Sequence, residues 1–442
     1  MTGEEVEVRT MRQVSRRLLP LLFLLYLFCY LDRINVGMAA LQMNAALRFD
    51  PATFGFGAGI FFLGYALFEV PSNVILARTG ARRWIARIAI TWGVLACMMV
   101  WVRTPAQFYL MRFLLGVAEA GFFPGVIYYL SRWIPTVYRA RAHAAFMIAV
   151  PAAQIVGGPL GGALLGLEGV GRLTGWQWLF LIEGLPPVFL GVAVLRYLTD
   201  NPEDAHWLAT EERSWLSQRL EREQRQTAAA DVSILRTFRN PLVWILTIPY
   251  FAFYTVALGY ALWAPTLVRD ALKTSNSTTG LVIGGIYALG VLVYFLAGML
   301  SDRRDERCAV AALGLALAGA GCIGAAVIAP SPLRVAAFAL IAMLSPLFLG
   351  SFWCLPTRFL KGTSAAAGIG LVSAIGSSGG FFGPNIIGSL KQTTGSDVGA
   401  FVGLAALALF GALVCLGLRR MPSLRPQSRL IAAASTAPPS RT

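Results

Sequence analysis

Charged residues are scarce in this chain and make up only 13% of its 442 residues. An average soluble domain contains about 25% charged residues. Hydrophobic residues account for 57% of the chain. This composition excludes an ordinary soluble domain, and we expect a protein that crosses the membrane many times.

The residue types of metal and redox sites are also few. The two histidines, His143 and His206, are too few to form a metal site by themselves, and the six cysteines show no paired spacing. Neither a nucleophile with a neighbouring base nor a phosphate-binding loop is visible in the sequence. We therefore expect no enzymatic activity, no metal and no cofactor.

Long apolar runs dominate the chain, and a membrane-spanning helix needs roughly 20 apolar residues. The sequence contains twelve runs of about this length. They cover residues 18–40, 53–76, 84–103, 106–131, 140–165, 176–199, 241–267, 279–300, 308–329, 333–358, 365–390 and 398–420. The predicted fold is an all-α membrane protein with twelve transmembrane helices in two six-helix halves.

Most connections between the runs are short, and the exception is the charged segment after the sixth run. That segment is interpreted as a polar helix at the membrane surface or in solution, which joins the two halves. The last segment is rich in Pro, Ser and Ala and is predicted to be disordered. The predicted domains are an N-terminal tail (1–17), an N-terminal bundle (18–199), a linker (200–240), a C-terminal bundle (241–420) and a C-terminal tail (421–442).

Lys and Arg residues indicate the orientation of the chain, because they concentrate in cytoplasmic loops of membrane proteins. Of the 37 Lys and Arg residues, 28 lie at the two termini and in the connections on one side, and seven lie on the other side. Both termini are therefore predicted to be cytoplasmic. The formal charge of +15 follows from this distribution, so the bilayer is the expected partner and a nucleic acid is not.

An internal repeat relates the two halves. Arg78 follows the second run and Arg303 follows the eighth, and they are 225 residues apart. Pro159 in the fifth run and Pro384 in the eleventh have the same separation of 225 residues. Two motifs at one offset indicate a duplicated six-helix unit, which is an architecture of transporters with a midplane binding site.

The turn Gly298-Met-Leu-Ser-Asp-Arg303 resembles the signature loop of the major facilitator superfamily. In the first half, Ala77 stands where that loop usually has an acidic residue. Further stretches resemble the anion:cation symporter branch of this superfamily. They are Tyr30–Asn35, Phe68–Asn73, Gly80–Trp84, Arg112–Gly125 and Leu179–Gly184.

The resemblance covers nearly the whole chain and implies a monomeric transporter in the bacterial inner membrane. Known members of this branch carry aldonates, tartrate, phthalate, hydroxyphenylacetate, sialic acid and glutamate. The loops that match the signature are expected to gate the cytoplasmic side. Their gating residues are Arg78, Gly80, Arg82, Asp302, Arg303 and Arg307.

Ionisable residues within the apolar runs occur only in the first half, away from helix ends. They are Asp32, Arg33, Glu69, Arg112, Glu119 and Glu183. A charge near the centre of a spanning helix costs roughly 2.5–3.5 kcal/mol on insertion scales. Purely structural ion pairs would have no reason to avoid one copy of a repeat, so these charges indicate function.

Arg112 and Glu119 are seven residues apart and lie on one helix face. Guanidinium stays charged and binds carboxylate through two parallel hydrogen bonds. A carboxyl group in a poorly solvated site can take up a proton near neutral pH. The resemblance assigns the same roles, with Asp32 and Glu119 as proton carriers and Arg33 and Arg112 as ligands of the anion.

Two alternatives remain open for these charges. Asp32 with Arg33, and Arg112 with Glu119, could simply neutralise each other. Glu69 precedes Pro71, and Glu183 precedes a Gly-Leu-Pro-Pro stretch. These two glutamates are interpreted as residues of helix packing or gating.

Polar and aromatic residues in the runs are candidates for the rest of the substrate site. The second half offers Tyr254, Trp353, Ser377 and Asn385, and the first half offers Tyr30, Tyr65 and Gln154.

The sequence thus predicts a proton-coupled importer of a small organic carboxylate, such as a sugar acid, a tartrate-like hydroxy acid or an aromatic acid. An exchanger or exporter of organic anions is the alternative within transport. A sensor built on a transporter scaffold is a further alternative, but it would need a larger signalling domain than residues 200–240 provide.

Overall fold

The structure is a computed structural model that describes residues 3–227, 239–304, 306–356 and 362–421. Helices dominate this part of the chain. The helices of the first half and the linker are α1 (Gly3–Leu47), α2 (Pro51–Thr79), α3 (Ala81–Met98), α4 (Pro105–Glu119), α5 (Phe122–Ser131), α6 (Thr136–Met147), α7 (Ala149–Leu164), α8 (Gly175–Tyr197) and α9 (Thr210–Thr227). Those of the second half are α10 (Pro241–Leu272), α11 (Asn276–Arg304), α12 (Arg307–Val327), α13 (Pro332–Ala342), α14 (Leu344–Phe352), α15 (Gly362–Ser377), α16 (Gly379–Thr394) and α17 (Val398–Leu418).

Within the described ranges, 11 helical segments are long and apolar enough to cross a membrane. The remaining predicted run, 365–390, falls on α15 and α16, which have 16 residues each and meet at Ser378. Each of these helices alone is therefore shorter than a full span. The predicted all-α fold with twelve transmembrane runs is confirmed.

The fourth apolar run is interrupted in its middle. Helix α4 ends at Glu119, and Gly121 has a positive φ of 84° before α5 begins. A Cβ atom at Gly121 would lie 2.5 Å from Ser72 Oγ. Both the backbone conformation and the close approach therefore require glycine at this position, and the break leaves Glu119 at the end of a helix.

The chain divides into two compact units. The first unit comprises Met1–Ala230, Pro265–Arg269 and Lys273–Gly284, and the second comprises Asp231–Ala264, Asp270–Leu272 and Gly285–Thr442. In the first unit, α8 packs against α1 and α3, and α2 packs against α4. A Cβ at Gly116 on α4 would lie 2.0 Å from the carbonyl oxygen of Phe61 on α2, so glycine lets these two backbones touch.

Polar contacts hold α9 against the ends of the first-unit helices. Arg9 forms an ion pair of 2.5 Å with the buried Glu212, and the hydroxyl of Thr136 donates to Glu223 at 2.7 Å. The predicted N-terminal tail is helical from Gly3 and continues into α1 without a break. Most of the predicted C-terminal tail (residues 422–442) and part of the predicted linker (228–238) lie outside the described residues.

In the second unit, α12 packs against α13, α14 and α17. The guanidinium of Arg334 at the start of α13 donates to the carbonyl oxygen of Ala325 and forms an ion pair of 2.8 Å with Asp397. The Arg334 side chain is 6% exposed. These contacts of the buried guanidinium join helix ends, so we assign Arg334 a structural role.

Candidate functional site

Four charged side chains predicted from the sequence converge inside the first unit. Asp32 and Arg33 are supplied by α1, and Arg112 and Glu119 by α4. Asp32, Arg112 and Glu119 are each 0% exposed, and the Arg33 side chain is 12% exposed. The structure thus brings together the four residues with predicted proton and anion roles.

Arg33 and Glu119 form the ion pair of this cluster. Nε of Arg33 donates a hydrogen bond to Glu119 Oε1, and the Cys29 thiol donates to the same oxygen at 3.1 Å. Glu119 is the last residue of α4, where the helix dipole disfavours a negative charge. The guanidinium of Arg33 offsets that effect and stabilises the ionised carboxylate.

Arg112 has a different environment. All three of its guanidinium nitrogens are buried and have no hydrogen-bond partner among the described residues. Its guanidinium carbon lies 4.9 Å from the centre of the Phe61 ring, a distance at which a cation is attracted by the ring face. A buried guanidinium with free donors is suited to bind an anion.

Asp32 accepts a hydrogen bond of 3.2 Å at Oδ1 from the amide of Asn35, one helical turn further along α1. Its second oxygen, Oδ2, is buried without a partner in the described part of the chain. Arg33 pairs with Glu119 and forms no described ion pair with Asp32, and Arg112 forms none with either carboxylate. The simple neutralising pairs Asp32–Arg33 and Arg112–Glu119 are therefore not formed in this structure.

The other first-half candidates lie at different distances from the cluster. The Tyr65 ring centre is 4.7 Å from the Arg33 guanidinium carbon, so Tyr65 lies against the charged cluster. Tyr30 packs edge-on against Tyr26, with ring centres 6.4 Å apart. Gln154 is half-buried on α7, and none of the described hydrogen bonds joins it to the charged residues.

The second unit contains its own aromatic group, centred on Tyr250. The rings of Tyr254 and Trp353 lie 5.1 Å and 4.8 Å from it. Ser377 follows Gly376, where a Cβ would lie 2.2 Å from Tyr250. Tyr254 and Trp353 thus adjoin one tyrosine, and Ser377 follows a residue that approaches the same ring. Asn385 lies further along and accepts a hydrogen bond of 3.2 Å from Ser389.

The loop of the first half that matches the signature, here called the first signature loop, contains Arg78, Gly80 and Arg82. It has an acidic partner from a distant part of the chain. Asp200 Oδ1 accepts the backbone N–H of Arg82 at 2.9 Å. Gly80 has a φ of 92°, and a Cβ there would lie 3.0 Å from Asp200. Asp200 therefore supplies a carboxylate to the loop in which Ala77 lacks one. Arg78 is exposed to solvent.

In the second signature loop, the side chains of Asp302 and Arg303 lie outside the described part of the molecule. Arg307 donates to the Cys354 sulfur at 2.6 Å. The gating role predicted for these loops therefore stays a prediction.

Sequence reasoning missed several residues of these clusters. Cys29, Asn35, Phe61 and Tyr250 are uncharged, so the search for buried charges passed over them. Asp200 lies in the polar linker, and its sequence position shows no relation to Arg82. Glu183, interpreted as a packing residue, is 1% exposed and lies beside Asn35 and Asp32.

Comparisons with known proteins agree with this architecture. A family model described as the Major Facilitator Superfamily matches residues 22–384. The chain is 44% identical to a putative tartrate transporter of Agrobacterium vitis, over 95% of this chain and 96% of the relative. It is 38% identical to a quinolone resistance transporter of Acinetobacter baumannii, over 93% and 95% of the two chains.

Solved structures give the same fold at lower identity. A bacterial homolog of the human lysosomal transporter Spinster, in an inward-facing and occupied conformation, superposes with a TM-score of 0.74 at 18% identity. The match covers 92% of this chain and 97% of that structure. At this identity the likeness supports the fold alone.

Proposed function

The chain belongs to the major facilitator superfamily of secondary transporters, and we propose that it takes up a small organic carboxylate together with a proton. The carboxylate is a sugar acid, a tartrate-like hydroxy acid or an aromatic acid. The transporter acts as a monomer in the inner membrane of a bacterium, with both termini in the cytoplasm. The similarity to a putative tartrate transporter supports an organic acid as substrate.

The observation that carries this proposal is the unpartnered guanidinium of Arg112. Its nitrogens are buried and have no described hydrogen-bond partner, and an unpaired buried charge is costly. A substrate carboxylate satisfies the fork of donors with two parallel hydrogen bonds. A neutral substrate would satisfy these charged donors less well than a carboxylate, so an anion is favoured.

Coupling to protons follows from the second arginine. Arg33 is held by Glu119 in this structure. Protonation of Glu119 removes the negative charge that holds the guanidinium, which is then free to bind the substrate carboxylate beside Arg112. Proton binding and anion binding therefore favour each other to the same extent. Asp32, beside Arg33 on α1, serves as the second proton carrier.

Uptake into proteoliposomes tests this proposal. The purified protein is supplied with labelled tartrate, gluconate or phthalate, with and without an inwardly directed proton gradient. We expect at least one anion to accumulate only when the gradient is present. Accumulation that is independent of the gradient would contradict proton-coupled uptake.

Exchange or export of organic anions is the alternative. The similarity to a quinolone resistance transporter supports export. An exchanger would need an anion on the inside of the vesicle and would ignore the proton gradient. An exporter in inverted membrane vesicles would accumulate a quinolone when protons flow out of the vesicle. These two assays thus separate exchange and export from symport.

A further inference from the structure

Glu183 is a buried carboxyl group to which the transport scheme gives no role. It lies on α8 and is 1% exposed. A Cβ at the adjacent Gly184 would lie 2.9 Å from the backbone nitrogen of Cys97 on α3. Because α8 and α3 touch at their backbones here, no water layer separates them. A carboxylate in such a place needs a partner or a proton.

The polar neighbours of Glu183 are two residues of α1, Asn35 and Asp32. The Asn35 amide is 3% exposed and donates to Asp32 Oδ1 at 3.2 Å. Three buried oxygen atoms of this group have no partner among the described residues: Asp32 Oδ2, Asn35 Oδ1 and Glu183 Oε2. Oxygen acceptors without donors indicate that a proton belongs in this group. A protonated Glu183 can donate its O–H to Asn35 Oδ1.

The charges of the first-unit cluster lead to the same conclusion. Three buried carboxyl groups, Asp32, Glu119 and Glu183, accompany only two guanidinium groups. Arg33 pairs with Glu119, and Arg112 interacts electrostatically with Asp32 and Glu119. No described ion pair reaches Glu183. One carboxyl group is therefore left without a cation, and it is Glu183.

The elements packed against α8 add little charge. Helix α3 brings the Cys97 thiol close to Glu183's neighbour Gly184. Helix α7 has no ionisable residue between Ala149 and Leu164. Helix α1 contributes Asp32 and Asn35. Asp32 is thus the charged side chain that these elements bring to Glu183.

Building on the proposed function, we propose that Asp32 and Glu183 form one proton-binding pair, joined by Asn35, and that Glu183 is a third proton site of the transport cycle. The pair holds one proton on Glu183 while Asp32 is ionised next to Arg112. When an anion occupies Arg112, Asp32 loses its nearby cation and binds a proton from the aqueous cavity. The two groups then bind and release protons as a unit, so each step of the titration describes the pair and not one residue alone.

Infrared difference spectroscopy tests the resting proton without any substrate. The full-length protein at neutral pH should show the C=O absorption of a protonated buried carboxyl group, and Glu183→Gln should remove it. Glu168→Gln is the matched control, because Glu168 is exposed in the connection before α8 and glutamine keeps an oxygen that can accept from the Gly175 N–H. An absorption that persists unchanged in Glu183→Gln would overturn the proposal.

The pH profile of gradient-driven uptake tests the coupling. Glu183→Gln keeps the shape of the neutral acid, so a purely structural role predicts an unchanged profile. We expect the pH of half-maximal uptake to shift by about one unit or more, since coupled groups interact by at least that amount. Asn35→Ala should give a similar shift, and the double variant should shift no further than either alone.

The two proposals fail separately. If the wild-type protein takes up tartrate, gluconate and phthalate at rates that do not depend on the proton gradient, proton-coupled uptake is contradicted. The infrared test of the Asp32–Glu183 pair still applies in that case. If the wild type accumulates one of these anions with the gradient, but the pH profile of uptake is unshifted in Glu183→Gln and Asn35→Ala, only the proposed pair is contradicted. Melting curves of each variant identify those that fail to fold, and Asn35→Ala supplies the test if Glu183→Gln is one of them.

Discussion

The thiol of Cys29 donates a hydrogen bond of 3.1 Å to Oε1 of Glu119, although the two residues lie 90 positions apart. The same oxygen receives the guanidinium of Arg33. An uncharged side chain therefore contributes to holding the ionised form of the carboxylate that is proposed to carry the proton.

Replacing Cys29 with Ala should change the coupling of uptake to the proton gradient, because Glu119 Oε1 loses one of its two hydrogen-bond donors. We expect the pH of half-maximal gradient-driven uptake to differ from that of the wild type, with the maximal rate reduced by only a few-fold. The control is Cys322→Ala, which removes a buried thiol from the second unit. An identical pH profile in Cys29→Ala and wild type would show that this hydrogen bond has no part in coupling.

Arg112→Lys should weaken substrate binding severely, because a point charge cannot replace a planar fork that makes two hydrogen bonds. Loss of one hydrogen bond to a charged group costs about 1.5–3 kcal/mol, which corresponds to about a ten- to hundredfold loss of affinity. Binding is measured by the thermal shift that a carboxylate produces. Arg213→Lys on α9 controls for the substitution itself, and near-normal binding by Arg112→Lys would remove Arg112 from the site.

Asp200→Ala should destabilise the first unit, because the backbone N–H of Arg82 loses its acceptor near the start of α3. Loss of an N-terminal helix cap costs about 1 kcal/mol. Asp200→Asn keeps an oxygen acceptor at the same position and should melt closer to the wild type. Equal melting temperatures for Asp200→Ala and wild type would contradict the capping role.

Glu223 on α9 provides a pH-dependent prediction. Burial raises the pKa of Glu223. Hydrogen bonds from Thr136 and the positive charges of Arg139 and Arg219 together lower it by more than burial raises it, so the pKa of Glu223 lies below its usual value. A lowered folded-state pKa stabilises the protein above the unfolded-state value, and this contribution is lost as the pH falls through the folded-state value. Glu223→Gln should therefore lower the melting temperature at neutral pH. The difference from wild type should disappear in acid, and a difference that grew in acid would contradict this assignment.

Much of the fold was predictable because membrane insertion imposes a simple physical rule on the sequence. Spanning helices must be long and apolar, so the runs could be counted without any tertiary contact. The interruption at Gly121 was not apparent, because it depends on the close approach of Ser72. Such an approach between distant segments has no signature in a single stretch of sequence.

The candidate site was predictable to the extent that buried charge is rare and costly. That argument identified Asp32, Arg33, Arg112 and Glu119, and all four come together in the first unit. It could not determine which of them pair. Helix spacing favoured Arg112 with Glu119, whereas in the structure Glu119 pairs with Arg33 across two helices.

The central claim is that Glu119 carries the proton that drives uptake, and Glu119→Gln tests it most directly. The amide mimics the protonated acid, so the variant should still bind the substrate and catalyse counterflow of labelled against unlabelled anion. It should lose uptake driven by a proton gradient, while Glu168→Gln retains both activities. Counterflow that persists without gradient-driven uptake is the predicted result, and gradient-driven uptake at the wild-type level in Glu119→Gln would contradict the mechanism.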